Sequence, residues 1–368
     1  MTNKAPVSEN AVKKAPLFSV DSSRGFVSWL ASKNCSLAVT TYQAGKVLLF
    51  GVDPQAKDGG PKLWVYNRNV GRCLGLVADA DGGGFWVTSD TKLHRFSDVA
   101  AGNPPGADGI DALYAPRFSY VTGDLDAHDL GVENNGRVLF ANTLFNSIAT
   151  PSQDYSFESV WRPDFISRLA AEDRCHLNGL ALRDGKLSYV TTVSRTDIFG
   201  GWREHRQDGG LVIDVQSGET VCTGLSMPHS PRWHNGKLWV HNSGTGEFGF
   251  VDFGKGRFEP LAFCPGYLRG LSFIDEHIAA VGLSMPRENK TFSGLALDDR
   301  LREAGVGPRC GVCFIDTRSG DVIHSLTFEG VVTELYDVAV LNGRTKPAML
   351  GPNSEEVKRT LSLKPDPA

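Results

Sequence analysis

A unit of roughly 50 residues recurs along this chain, and no other feature limits its fold as strongly. Each unit opens on a short motif, runs into an apolar alternation, turns at a Gly-containing pair and returns as a second strand. The segment HLNGLALRDGKLSY, from His176 to Tyr189, aligns without a gap on MPHSPRWHNGKLWV, from Met227 to Val240. The Asp184-Gly185 and Asn235-Gly236 turns coincide in that alignment. Looser versions start near Cys73, Ala127, Tyr267 and Leu335, which brings the starts to about six. Asn-Gly and Asp-Gly between apolar alternations are hairpin turns, and four short antiparallel strands per unit describe one propeller blade. The expected fold is all-β, a six-bladed β-propeller.

The ends of the repeat predict how the ring closes. The last unit has an inner strand, 335–341, and little after it, while the first part of the chain offers three strands, between Cys35 and Asn67, with no opening motif. Pairing the C-terminal inner strand with those N-terminal strands completes a blade and hides two sheet edges that would otherwise invite aggregation. A seventh blade would need 26–30 as a strand; the stretch from Asp21 to Ser32 reads instead as a capped helix. Residues 1–24 are expected to form a disordered lead-in, 25–352 one propeller domain and 353–368 a flexible tail.

Composition narrows the partners. Among 368 residues, 41% are hydrophobic and the formal net charge is −4, so neither a basic surplus for nucleic acid nor a polybasic run for a membrane surface is present. No apolar run approaches the roughly 18 residues of a membrane helix, and the first residues lack the apolar segment of a secretory signal. Seven scattered cysteines fit a reducing cytoplasm. Cys310 and Cys313 have a metal-like spacing but no second pair, and read as buried strand thiols.

Topology locates the chemistry. In a four-stranded meander the starts of all inner strands crowd around the axis at one mouth. Taking Asn178 as reference, that ring reads Leu74, Asp129, Asn178, His229, Arg269 and Tyr336. Two residues upstream stand Arg72, Ala127, His176, Met227, Tyr267 and Glu334. His176, His229 and Glu334 are candidate catalytic groups, and His176, Asn178, His229, Asp129 and His128, one place off the ring, are candidate metal ligands. Imidazole with carboxylate favours Zn, Fe, Mn or Cu over Ca. The bland alternative is a polar, water-filled channel. Arg269 reads as an anion clamp or as an ion-pair partner of Glu334 or Asp337.

Two long insertions rise on the same face, 194–209 and 285–309; the second contains a short helix ended by Gly305. Trp202 and Arg203 in the first offer stacking and charge, and with Arg269 and Tyr336 would orient a substrate. His94, His277 and His324 lie in or beside ordinary strands and read as structural, His234 sits at the opposite end, and His241 faces the mouth. There is no Gly-x-Ser-x-Gly elbow and no dinucleotide fingerprint.

Asn178-Gly-Leu-Ala181, with its Asp-Gly turn, resembles the regucalcin and gluconolactonase-like propellers. That resemblance implies a divalent metal held by Asn178 and Asp129, whereas His229 departs from the pattern. A closer likeness covers nearly the whole chain after Arg24. Thr41-Tyr-Gln-Ala-Gly-Lys46, Glu172-Asp-Arg-Cys-His-Leu-Asn-Gly-Leu-Ala181, Gly200-Gly-Trp-Arg-Glu204 and Gly224-Leu-Ser-Met-Pro-His-Ser-Pro-Arg232 carry it. These motifs resemble a bacterial family of conserved hypothetical proteins, some attached to tetratricopeptide segments, and imply no activity. The expected function is metal-dependent hydrolytic or oxidative chemistry on a small-molecule or peptide ligand at the mouth. The alternative is a non-catalytic propeller that binds a ligand or protein there.

Overall fold

In the computed structural model, residues 18–56, 59–100, 108–286 and 293–363 are described. Six sheets stand in a ring. Blade 1 takes its inner strand from Leu335–Asn342 and its outer three from Cys35–Thr41, Lys46–Asp53 and Lys62–Asn69. Blades 2 to 6 follow in chain order, their inner strands being Leu76–Ala78, Ala127–Val132, Leu177–Arg183, Pro228–His234 and Tyr267–Phe273. The closure expected from the split repeat is present: Ser36 pairs with Leu341 and Ala38 with Ala339.

Two further straps reinforce it. The lead-in ends in an ordered strand, Phe18–Ser22, added antiparallel to the outer edge of blade 6 at Val322–Gly330. Residues 1–17 lie outside the described part. The expected helix forms at Phe26–Ser32, but without a side-chain cap, since Gly25 precedes it and Asp21 and Ser22 belong to the strand before it; Phe26 and Leu30, both fully buried, insert into the seam between blades 6 and 1. Beyond the inner strand of blade 1, Pro347–Met349 runs parallel to the outer strand of blade 2, Ala112–Val121. In the tail, Glu355–Arg359 forms a short 3-10 turn.

Apolar side chains from facing sheets fill the seams between neighbouring blades. Leu177, Leu180 and Val190 of blade 4 meet Leu139, Ala141 and Ile148 of blade 3. All seven cysteines are buried and unbridged. Hydroxyls stitch blade to blade near the mouth. Thr40, Thr88, Thr143, Ser243 and Ser284 each donate to an inner-strand carbonyl of the following blade: Leu74, Ala127, Leu177, Leu268 and Leu335. Carbonyls that splay inwards at strand starts would otherwise be buried without partners.

Closest to the axis the chain alternates. Blades 1, 3 and 5 present Asp337, Asp129 and Ser230, while blades 2, 4 and 6 present Gly75, Gly179 and Gly270. The three polar side chains accept the backbone N–H groups of Leu76, Leu180 and Gly270 in the next blade. A Cβ on Gly270 would stand 2.6 Å from the Val338 nitrogen, and one on Gly75 2.9 Å from the Asp129 backbone. The backbone crowding leaves no room for a side chain at Gly75 or Gly270.

Candidate functional site: the mouth of the propeller

The inner strands of blades 3, 4 and 5 begin alike. Asp126, His176 and Met227 take left-handed backbone angles, with φ of 51°, 53° and 50°, and the strand proper follows. This equivalence sets the frame and corrects the expected ring in blade 3. His128, not Asp129, matches Asn178 and His229, and Asp126, not Ala127, matches His176. Asp129 lies one residue deeper.

There Asp129 is committed. Arg232 donates to both its oxygens, Nη1 to Oδ2 at 2.8 Å and Nη2 to Oδ1 at 2.9 Å, and the Leu130 and Leu180 amides complete it. Arg232 also stands 3.8 Å from Asp337. Burial and the Asp129 charge push the Asp337 carboxyl above its ordinary range. This ion cluster lies between the mouth and a second cavity at the far end, lined by Arg232, Asp79 and Asn342.

Above the cluster three imidazoles gather. The ring centroids of His128 and His176 are 4.8 Å apart, and those of His128 and His229 6.4 Å. Each ring is tied through Nδ1. His128 donates to the Asp126 carbonyl at 2.8 Å and His229 to the Met227 carbonyl at 2.9 Å. His176 donates to the Asp173 carboxylate at 3.0 Å. A carbonyl or carboxylate can only accept, so all three carry the proton on Nδ1 and keep Nε2 as the basic atom. Burial, with His176 and Arg269 alongside, pushes His128 down to about 4, against the pull of Asp126. Burial, Arg269 and His128 hold His229 well below the ordinary histidine value.

The other expected residues surround them. Asn178 accepts from Thr191 at 2.8 Å, which turns its amide nitrogen towards His229 Nε2 at 3.4 Å. Trp202 is buried, stacks on His176 at 4.1 Å between centroids, and donates Nε1 to Asp173 at 2.7 Å. It therefore walls and orients His176. Arg203 lies 4.5 Å over the outer Trp202 face. Arg269 is buried with its guanidinium 4.4 Å over the Tyr336 ring, and Nη1 reaches Glu334 at 3.4 Å. Tyr336 in turn meets His128 edge-on at 5.5 Å and stacks on Tyr42.

Asp173, Asp126 and Tyr42 were missed from the sequence. Asp173 stands three residues before His176, a spacing that could have signalled it. Burial opposes its charge, but His176 and the Trp202 hydrogen bond hold Asp173 below the usual carboxylate value. Both insertions rise over this mouth, as expected. Trp202 shares an apolar cluster with Leu295, Leu297 and Leu301 of the second one, whose helix, Ala296–Ala304, ends at Gly305. Arg206 and Gln207 donate to the Ser293 and Gly294 carbonyls across the gap. Residues 287–292 lie outside the described part. Together these groups enclose a cavity of about 170 Å³ lined by Tyr42, Asp126, His128, His176, Arg269 and Tyr336, among others. Among the described residues, no three His, Cys, Asp or Glu side chains stand together as a set of metal ligands. No described helix is long and apolar enough to cross a membrane.

A solved structure shares the fold. A structure of the nidogen/laminin complex superposes with a TM-score of 0.53 at 11% identity, over 84% of this chain and 99% of that one. Virginiamycin B lyase from Staphylococcus aureus, crystallised with quinupristin, gives 0.38 at 12% identity, over 85% and 100%. A putative gluconolactonase gives 0.43 at 12%, over 81% and 99%. The first of these likenesses extends to architecture alone. No curated protein matches the chain in sequence. The repeat, the closure and the motifs around His176 and His229 all fall within residues 24–350, which match the model of a domain of unknown function, DUF4915, and the chain belongs to that family.

Proposed function

We propose that the mouth performs acid–base chemistry on a small molecule, with His176 as the proton acceptor. The carrying observation is the His176–Asp173 pair at 3.0 Å, held by Trp202. Asp173 fixes the tautomer and offsets the positive charge that forms when Nε2 takes a proton. Water or a substrate C–H or O–H is the proton source, as in hydrolysis or elimination. His128, kept neutral by its surroundings, is a second acceptor. Arg269 and Tyr336 supply charge and hydrogen bonding from the far wall, and the two insertions limit access of bulk water.

The test is a turnover screen by proton NMR over small esters, lactones, amides, and hydroxy and amino acids. Wild type is compared with His176→Gln and Asp173→Asn. A turnover that falls about 100-fold or more in His176→Gln supports the reading. A turnover that both variants retain overturns it. Binding of a small molecule with no turnover favours the alternative of a ligand-binding propeller.

One observation favours a second reading, in which a transition metal takes part. Metal-ligating histidines typically have one ring nitrogen tied to a carbonyl or carboxylate, as His128, His176 and His229 all do. A shared ion would require these rings to turn from their present positions. Elemental analysis after purification without chelator tests it: a stoichiometric metal lost in both His176→Ala and His229→Ala supports the metal, and none in wild type removes it.

A further inference from the structure

The charges that line the mouth cavity are of both signs, Arg269 and Arg203 with Asp126 and Asp173. Arg269 comes from blade 6. Only 5% of the residue is exposed, its Nε has no hydrogen-bond partner within the protein, and its bond to Glu334 is long, at 3.4 Å. A buried guanidinium has five donors in a planar fork, and leaving one of them unpaired is costly. Asp126 comes from blade 3, directly across the six-membered ring. Its carboxylate lies 3.6 Å from His128 Nδ1, but that nitrogen already donates to the Asp126 carbonyl at 2.8 Å. The nearby Arg72 is committed to Asp124 at 2.6 Å. Asp173, the other carboxylate at the cavity, is taken by His176 and Trp202.

We infer that the cavity takes a small zwitterion, an amino acid with its carboxylate on Arg269 and its ammonium on Asp126. A carboxylate matches the guanidinium fork, with two parallel N–H···O bonds. A dianion such as phosphate would meet Asp126 and Asp173 as well as Arg269. A simple amine would meet Arg269. A molecule carrying one charge of each sign can set each against its opposite, the carboxylate on Arg269 and the ammonium on Asp126. The cavity, about 170 Å³, has room for a small amino acid.

The inference rests on the acid–base reading of the same mouth, and its test reads binding without turnover. Alanine, β-alanine and γ-aminobutyrate are titrated by calorimetry beside propionate, butyrate, alaninamide and inorganic phosphate. At least one of the three zwitterions is expected to bind ten-fold or more tightly than its matched carboxylate and than alaninamide, with phosphate weakest. In Asp126→Asn, a change at a partly exposed side chain, the zwitterion and its matched carboxylate should bind equally. Arg269→Lys, which keeps the charge and loses the fork, should weaken both. Calorimetry reads binding alone, which separates failure of this inference from failure of the acid–base reading. Equal binding of propionate and alanine by wild type, binding of phosphate above all, or a zwitterion preference that survives in Asp126→Asn would overturn the assignment. None of these results bears on whether His176 accepts a proton.

Discussion

Arg232 reaches from blade 5 to place two guanidinium nitrogens on the two carboxylate oxygens of Asp129, at 2.8 and 2.9 Å, although the residues are 103 positions apart. With Asp337 at 3.8 Å on the far side, this cluster separates the mouth from the other end of the channel. It gives the site a floor, and it removes Asp129 from the chemistry above.

Breaking that pair should be costly. Arg232→Leu leaves two buried carboxylates without their cation, and a loss of roughly 3–5 kcal/mol is expected. Asp337→Asn should lose much less, because Asp337 is the more distant partner. Urea midpoints of the two variants, compared with wild type, check the order; equal midpoints would contradict it.

Acid should destabilise the fold before the surface carboxylates titrate. Burial pushes both His94 and His241 down to about 4, from 6.5 in an exposed chain. Unfolding therefore takes up protons in that interval, so stability rises with pH there and is lost as pH falls from about 6.5 towards 4. Asp337, held above its usual range, works in the opposite sense. The measurement thus compares wild type with His94→Gln. The Tm of wild type should be flat above about pH 7 and fall below it, and the variant should fall less steeply.

The hydroxyl stitching predicts a third result. Thr143 donates to the Leu177 carbonyl at 2.6 Å and touches His128 Nδ1 at 2.9 Å. Thr143→Val keeps the shape and leaves that carbonyl unpaired, at a cost of about 1–3 kcal/mol. Thr143→Ser should restore most of the loss. Thermal unfolding of the three proteins decides it, and a Val variant as stable as wild type would show that the bond adds nothing.

The blades were legible because their signals are local. Apolar alternation and Asn-Gly or Asp-Gly turns act over a few residues, and the repeat places them in series. The unmatched strands at the two ends of the repeat also announced the closure at Leu335–Asn342. Even the site's neighbourhood followed, since inner-strand starts must converge at one mouth.

Which side chain faces the axis was another matter. The left-handed residues at Asp126, His176 and Met227 and the bulges between His229 and Arg232 and between Leu177 and Gly179 shift the alternation by a residue. In blade 3, where the pairing slips between Phe140 and Asn142, Asp129 and His128 exchange the places that alignment of the repeat assigns them. Partnerships such as Arg232–Asp129 and Trp202–Asp173 join groups that no local pattern connects. By itself the sequence determined the six blades, their seam and the mouth, because hydrogen-bonded hairpins and apolar faces are written within each unit. Only the tertiary structure decided that His128 joins the imidazoles, that Asp129 becomes the floor and that Arg269 opposes Asp126, because the packing of neighbouring blades sets the register at the axis.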